Sequence, residues 1–455
     1  MYGFYNLLTA IGMILLSPYF FFHGLFSGKY LGQIRERLGW RYPPELLESK
    51  PNDLRAGAIW IHAVSVGEVL AVVPLARLLK QRHPERRMVV STTTTTGQRL
   101  ARERMQFVNA IFYFPLDWTG PVRRAIHAVK PSVLIIVETE IWPNVLRESR
   151  RAGIPVIFVN GRMSARSSRG FHRALSFTGG LLGSFLKRIL HDATLFLMQS
   201  DEDAARLLAL GADPGRVKVT GNLKYDIDDA GATPLSSWLA EELRGGNRYP
   251  VIVAGSVLEN EEAVVLRAFE EVSRKFPRGL LVLAPRKPDR FDAAGKIIVG
   301  SNYKLVRRSA IALNGTGGAA LAEPGSVLLL DSLGELASVY CLADAVFVGG
   351  SLVPGGGHNI LEPACFGKVP VFGPSMENFK EISAKFLEAG AAVQVNSAET
   401  LGAAWVGLLT DKERALRMGA IARTQVDRNR GATLRVLAHL DGIISKPGSE
   451  LGSGD

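Results

Sequence analysis

A carboxylate, a pair of acids and a glycine-rich run stand in this sequence where apolar stretches end, the places where buried strands hand the chain to their loops. The first is Trp60-Ile61-His62-Ala63-Val64-Ser65-Val66-Gly67-Glu68. A strand ends, Ser65 and Gly67 make a small loop, and Glu68 opens a helix. That arrangement aims a carboxylate into a cleft, where a general base belongs. It also suits an ordinary acid that complements a helix N-terminus, and spacing does not separate the two roles. His62 reads as a structural histidine.

The second segment is Glu138-Thr139-Glu140-Ile141-Trp142-Pro143-Asn144, again after an apolar run. Acids two residues apart on an extended chain point to opposite faces, so at most one of them is expected at a substrate and the other in a structural role. Lys224, in Thr220-Gly221-Asn222-Leu223-Lys224-Tyr225-Asp226, is expected to reach across a cleft.

The third is Gly349-Gly350-Ser351-Leu352-Val353-Pro354-Gly355-Gly356-Gly357-His358-Asn359-Ile360-Leu361-Glu362. An apolar strand runs into a glycine-rich loop and a helix opens near Ile360. Glycines let backbone approach a phosphate, and free N–H groups at a helix start attract an anion. Glu362 suits ribose hydroxyls; a tight turn followed by a helix-start acid is the plain alternative. Arg286 and Lys287, after the strand ending Ala284-Pro285, suit a phosphate as well. Asp201-Glu202-Asp203 has the look of a metal-binding acidic pair, but Ser200 before it makes a helix start the better reading.

The elements that position these residues alternate between apolar runs and amphipathic stretches, the signature of parallel sheets covered on both faces. Strands are expected at Ala58–Ala63, Met88–Thr93, Ile111–Phe114, Val133–Val137, Val156–Asn160, Leu195–Gln199 and Val217–Gly221. A second series follows at Val251–Ala254, Leu280–Ala284, Val327–Leu330, Ala345–Gly349 and Val369–Phe372. The chain has 455 residues, enough for two such domains. The fold class is α/β, with two doubly wound Rossmann-like domains facing a cleft. Expected boundaries are an anchor at 1–28, an acceptor domain at 29–225, a linker at 226–247, a donor domain at 248–440 whose last helix packs back on the first domain, and a tail at 441–455.

Residues 1–28 contain no Asp, Glu, Lys or Arg, and Lys29, Arg35, Arg37 and Arg41 follow. A run of roughly 20 apolar residues can cross a bilayer, and the flanking charge sets the catalytic domains on the cytoplasmic face of the cytoplasmic (inner) membrane. A helix lying in the interface, interrupted near Pro18, is the rival form. The net charge of +11 fits an anionic membrane or a phosphorylated substrate. Nucleic acid is not expected as a partner, because Lys and Arg are scattered without aromatic interleaving. Two cysteines, Cys341 and Cys365, imply no disulfide framework, and no zinc spacing occurs. Neither metal nor cofactor is expected.

In order along the chain, the anchor, His62–Glu68, the threonine run 92–96, Glu138–Asn144, Thr220–Asp226, Pro285–Phe291 and Gly349–Ala364 resemble the 3-deoxy-D-manno-octulosonic acid (Kdo) transferases of lipopolysaccharide synthesis, a GT-B family. The resemblance implies transfer of Kdo from CMP-Kdo to the lipid A precursor (lipid IVA), with inversion and without a metal. By it, Glu68 matches the general base, and Glu138 and Lys224 match residues that stabilise the transition state. Pro285 and Arg286, Leu333-Gly334-Glu335, and Asn359, Ile360, Leu361 and Glu362 match segments that hold CMP, with Ser351, Gly356, Gly357 and His358 in the same loop. The chain departs from the family at Val257-Leu258, where Thr-His is usual, and at Lys287, Gly355 and Ser375. A UDP-sugar epimerase of the same architecture, or an inactive membrane-tethered nucleotide-sugar-binding protein, is the alternative.

Overall fold

The computed structural model describes residues 1–27, 31–48, 57–163, 181–227, 231–245, 250–311 and 325–445. The chain forms two compact units. Unit 1 holds Met1–Asp226 and the chain from Gly431 onward; unit 2 holds Ile227–Arg430.

Unit 1 is built on seven parallel strands: β1 (Ala58–His62), β2 (Met88–Thr92), β3 (Ala110–Tyr113), β4 (Pro131–Val137), β5 (Val156–Gly161), β6 (Leu195–Met198) and β7 (Val217–Val219). Their order is β3-β2-β1-β4-β5-β6-β7, so the winding reverses between β1 and β4. Successive residues of β1 serve opposite faces: Ala58 and Trp60 enter one core with Phe112 and Phe158, while Ile59 and Ile61 enter the other with Val72 and Leu75. Burial on both faces is why these strands read as continuous apolar runs.

Unit 2 repeats the plan with β8 (Val251–Val257), β9 (Leu280–Pro285), β10 (Lys304–Arg307), β11 (Ser326–Leu329), β12 (Ala345–Val348), β13 (Val371–Phe372) and β14 (Val393–Gln394). The order is β10-β11-β9-β8-β12-β13-β14, with the reversal between β8 and β12. In doubly wound sheets ligands bind outside the carboxyl ends of the strands at such reversals.

Three expected boundaries change. Pro234–Gly245, within the expected linker, is a helix of unit 2. Thr233 caps it through Ser236 N at 3.2 Å, Pro234 sits at its first position, and Leu235 and Leu239 bury one stripe. The second domain ends at Arg430 rather than 440. Gly431, at φ 85°, breaks the helical run, and the helix Ala432–Ile444 returns to unit 1, where Val436, Leu437 and Leu440 join the core beside Val69 and Leu75. Asp226 and Gly431, where the chain leaves unit 1 and where it comes back, meet through a hydrogen bond from Gly431 N to the Asp226 carboxylate.

The expected anchor is a helix, Tyr2–Ser27, but it begins as part of unit 1. Tyr2, Tyr5, Asn6 and Thr9 share one face. Tyr2 donates to Asp192 at 2.8 Å, Tyr5 to Asp117 at 2.9 Å, and Trp118 Nε1 to Thr9 at 3.1 Å. The Arg147 guanidinium lies 4.2 Å above the Tyr2 ring. Phe4, Leu7, Leu8, Ile11 and Leu15 face outward and are exposed. Among the described residues no helix is long and apolar enough to cross a membrane.

Candidate active site

Glu68 and Glu138 follow β1 and β4, the two strands at the reversal in unit 1. Glu68 lies in the first turn of the helix Val66–Arg82, with a relative exposure of 6%. Its carboxyl accepts from Val64 N at 2.7 Å and from Ser65 Oγ at 2.9 Å. Burial first, then the charges of Glu138 and Glu140, push its pKa up to about 8, against the pull of those two donors. A carboxyl poised near neutrality suits a general base.

Glu138 adopts φ 60°, a left-handed conformation that is uncommon away from glycine. It holds that turn with its N–H on Val159 O at 2.9 Å. The extended chain expected here is therefore not present at Glu138. The left-handed residue breaks the two-residue alternation, and the charges of both acids raise the Glu68 pKa. Burial and then Glu138 raise the Glu140 pKa in turn.

Lys224 belongs to the same unit. A Cβ placed on Gly67 would stand 3.9 Å from Lys224 Nζ, so the ammonium lies over the loop that carries Glu68. The short turn Leu223–Tyr225 is set by Asn222, whose side chain accepts from Lys224 N at 3.0 Å, and by Asn160, which accepts from Leu223 N at 2.9 Å. The threonine run supports the loop from beneath: Thr93 and Thr94 N–H donate to Val64 O, and Thr94 caps the helix Thr95–Arg104. His62 is buried, stacked on Phe114 at 3.6 Å, and held neutral with its pKa lowered to about 3 by desolvation. Asp203 accepts from Ser200 Oγ and Met163 N, which bears out the helix-start reading of that acidic run.

In unit 2 the glycine-rich loop leaves β12, Leu258 follows β8, and Arg286 follows β9. Pro285 is buried in the sheet, and Arg286 N donates to Val257 O at 2.9 Å. The Arg286 charge acts on both His358 and Glu362. Burial raises the Glu362 pKa, while Asn359 and Arg286 oppose it. Asn359 binds Glu362 at 3.4 Å and accepts from Leu361 N at 3.1 Å. Ile360 and Leu361 bury their side chains, which leaves backbone as their only means of meeting a ligand. Tyr340, whose pKa burial and then the Glu362 charge raise, fills the space that a Cβ on Gly255 would need.

Several expected donor contacts are already engaged by the protein. Ser351 is fully buried, donating to Val348 O and accepting from Gly373 N. Gly356 N donates to Ser375 Oγ, and Gly357 N donates to Gly350 O. His358 lies against Gly350 and stays neutral, its pKa lowered to about 4 by burial and Arg286. Glu335 is clamped by Arg308 with two bonds of 2.9 Å, leaving the exposed Leu333 and Gly334 as the outward part of that loop. The helix opening after the loop, Leu361–Cys365, is only five residues long. The residue that sequence reasoning missed is Glu261, whose carboxylate accepts three N–H groups of the loop, Gly350, Ser351 and Leu352. Two of the departures lie side by side: a Cβ on Gly355 would stand 2.6 Å from Leu258 Cδ1, and 2.8 Å from the Gly350 carbonyl oxygen, so the loop backbone itself leaves room only for glycine there.

Two parallel seven-stranded α/β sheets, each with its polar loops at the reversal of winding, define a GT-B-like fold. A solved MurG from Acinetobacter baumannii shares it, with TM-score 0.52 and 15% identity over 85% of this chain and 99% of that one. Residues 32–227 match the family model for 3-deoxy-D-manno-octulosonic-acid transferase (kdotransferase). The 3-deoxy-D-manno-octulosonic acid transferase of Haemophilus influenzae is 34% identical over 83% of this chain and 85% of its own. That of Bordetella pertussis is 34% identical over 85% and 87%. The chain belongs to the 3-deoxy-D-manno-octulosonic acid transferase family and is a Kdo glycosyltransferase.

Proposed function

We propose that this enzyme moves Kdo from CMP-Kdo to the lipid A precursor at the inner membrane, with inversion. The observation that carries the reading is the Glu68 carboxyl, buried and held by Val64 N–H and Ser65 Oγ, with burial and then the charges of Glu138 and Glu140 raising its pKa to about 8. A sugar hydroxyl attacking the anomeric carbon must lose its proton as the new C–O bond forms, and Glu68 takes it. The bond from that carbon to the phosphate oxygen breaks, and CMP departs as an anion. Lys224, over the same loop, supplies positive charge to balance the charge that develops. In unit 2, Arg286 and the Asn359–Glu362 turn are the groups suited to CMP.

Membrane attachment is part of the same proposal. The exposed stripe Phe4, Leu7, Leu8, Ile11 and Leu15 supports a helix lying in the interface with its other face docked on unit 1. The net charge of +11 favours an anionic surface. Incubating the protein with CMP-Kdo and lipid IVA, then weighing the lipid by mass spectrometry and measuring released CMP, tests the reading. Each transfer adds one Kdo and releases one CMP. CMP released without a heavier lipid would overturn the acceptor assignment.

A further inference from the structure

Glu261 stands just before the helix Glu262–Lys275 and is fully buried. Its Oε2 accepts from Leu258 N at 2.8 Å and Gly350 N at 2.7 Å. Its Oε1 accepts from Ser351 N at 3.0 Å and Leu352 N at 2.9 Å. Gly350, at φ 68°, turns the backbone so that three successive N–H groups converge on one point. Such a concavity binds anions of any origin, phosphate or carboxylate.

We infer that Glu261 is a built-in anion that fills the first half of the glycine-rich loop, so that the donor's phosphate is taken at the other end of the loop, beside Asn359, Ile360 and Arg286. A substrate phosphate entering the Gly350–Leu352 concavity would meet a carboxylate instead of open donors. Further along, Gly355 N donates to Val353 O, Gly357 N to Gly350 O and His358 N to Gly349 O, and Gly356 N donates to Ser375. Among the described residues the N–H groups of Asn359 and Ile360 donate to no protein acceptor. They lie in the turn whose Glu362 feels the Arg286 charge. Glu261 therefore acts as a positioning residue. It ties the end of β8 to the end of β12 and fixes the loop from which the phosphate-facing turn springs. The inference rests on the reading of this loop as the CMP site.

Residue-resolved amide exchange on the full-length wild-type protein tests it without any variant. Gly350, Ser351 and Leu352 should exchange slowly without CMP and change less than about twofold when CMP is added, whereas Asn359 and Ile360 should slow at least about fivefold. Fast exchange at 350–352 that CMP alone suppresses would overturn the inference. Glu261→Ala, in the same full-length protein, should weaken CMP binding at least about tenfold by calorimetry, the scale of losing charge-assisted hydrogen bonds. Acetate or formate should restore it saturably, and acetamide should not, because only an anion replaces what was removed. CMP binding unchanged or tighter in Glu261→Ala, or equal rescue by acetamide, would count against a built-in anion. Arg286→Ala separates the two layers. If it leaves CMP binding unaltered, the location of the donor site is wrong; if it weakens CMP binding while Glu261→Ala does not, only the inference fails.

Discussion

Glu68 and Glu138 follow two neighbouring strands, β1 and β4, and after burial the charge of Glu138 is the largest influence raising the pKa of the Glu68 carboxyl to about 8. The pair costs stability in the folded chain and places a proton acceptor where a hydroxyl must be activated. Several measurable consequences follow from that tension.

Replacing Glu68 by Gln keeps the side chain's size and removes the base. Turnover should fall by roughly 10²–10⁴-fold, the usual scale for a positioned general base. CMP affinity should hold, because the residues assigned to CMP belong to unit 2. Steady-state kinetics beside calorimetry with CMP reads both, and near-normal turnover would move the base assignment to Glu138.

The ionised form of Glu68 is the active one, so kcat/KM of the wild type should rise with pH and level off above about 8. The Glu68→Gln protein should show a flat, low profile over the same range. A wild-type profile already level at pH 6.5 would show that the carboxyl is ionised well below that point.

Stability should move the opposite way. The folded-state pKa of about 8 lies above the ordinary value of 4.5, so the folded chain binds the proton more tightly than the unfolded one. That contribution is complete below pH 4.5 and is lost as pH rises through 8. Glu68→Gln should therefore melt progressively higher than wild type as pH is raised across this window, with a gap of up to a few kcal/mol. A gap that narrows with rising pH would contradict the shift.

Arg286→Ala should weaken CMP binding and slow transfer together, since a phosphate contact acts in ground and transition states alike. A loss of roughly tenfold or more in affinity is expected from one charge-assisted contact. Calorimetry with CMP checks it.

Removing residues 1–9 should destabilise unit 1 in addition to weakening membrane attachment. Asp117 accepts from Tyr5 and also from Asn144 N and Val145 N, at the start of the helix that follows the Glu138–Trp142 loop. Tyr5→Phe, which removes one hydroxyl, should cost about 1 kcal/mol. Thermal melts of both variants in the same detergent read this out, and an unchanged melting point in both would show that the helix is only an appendage.

Most strands were legible because parallel strands buried on both faces leave unbroken apolar runs. The two that were not are edge strands: β10 begins and ends with Lys304 and Arg307, and β14 has only Val393 and Gln394. The places of Glu68, Arg286 and the glycine-rich loop at the ends of strands were legible from strand–loop–helix order. Glu261 was not, since no local pattern tells that a helix-start acid points into a loop 89 residues further on. The left-handed turn at Glu138 was not legible either, because alternation arguments assume an extended chain. The docking face of the first helix was visible as Tyr2, Tyr5, Asn6 and Thr9, but the apolar bulk of that segment outweighed it.

The return of the helix Ala432–Ile444 to unit 1 sets an order for biosynthesis. Unit 2 is continuous in sequence and can complete its core as soon as its last helix leaves the ribosome. Unit 1 cannot, because the core holding Ile59 and Ile61 of β1 and Val69 of the helix Val66–Arg82 waits for Val436, Leu437 and Leu440 to complete it. At ordinary rates of synthesis that wait lasts roughly ten to forty seconds. Through it the nascent chain carries an open apolar face, the kind of surface that holding chaperones bind. A ribosome that stops just short of Gly431 would release a finished unit 2 joined to an unsealed unit 1, a product marked for proteolysis rather than for use.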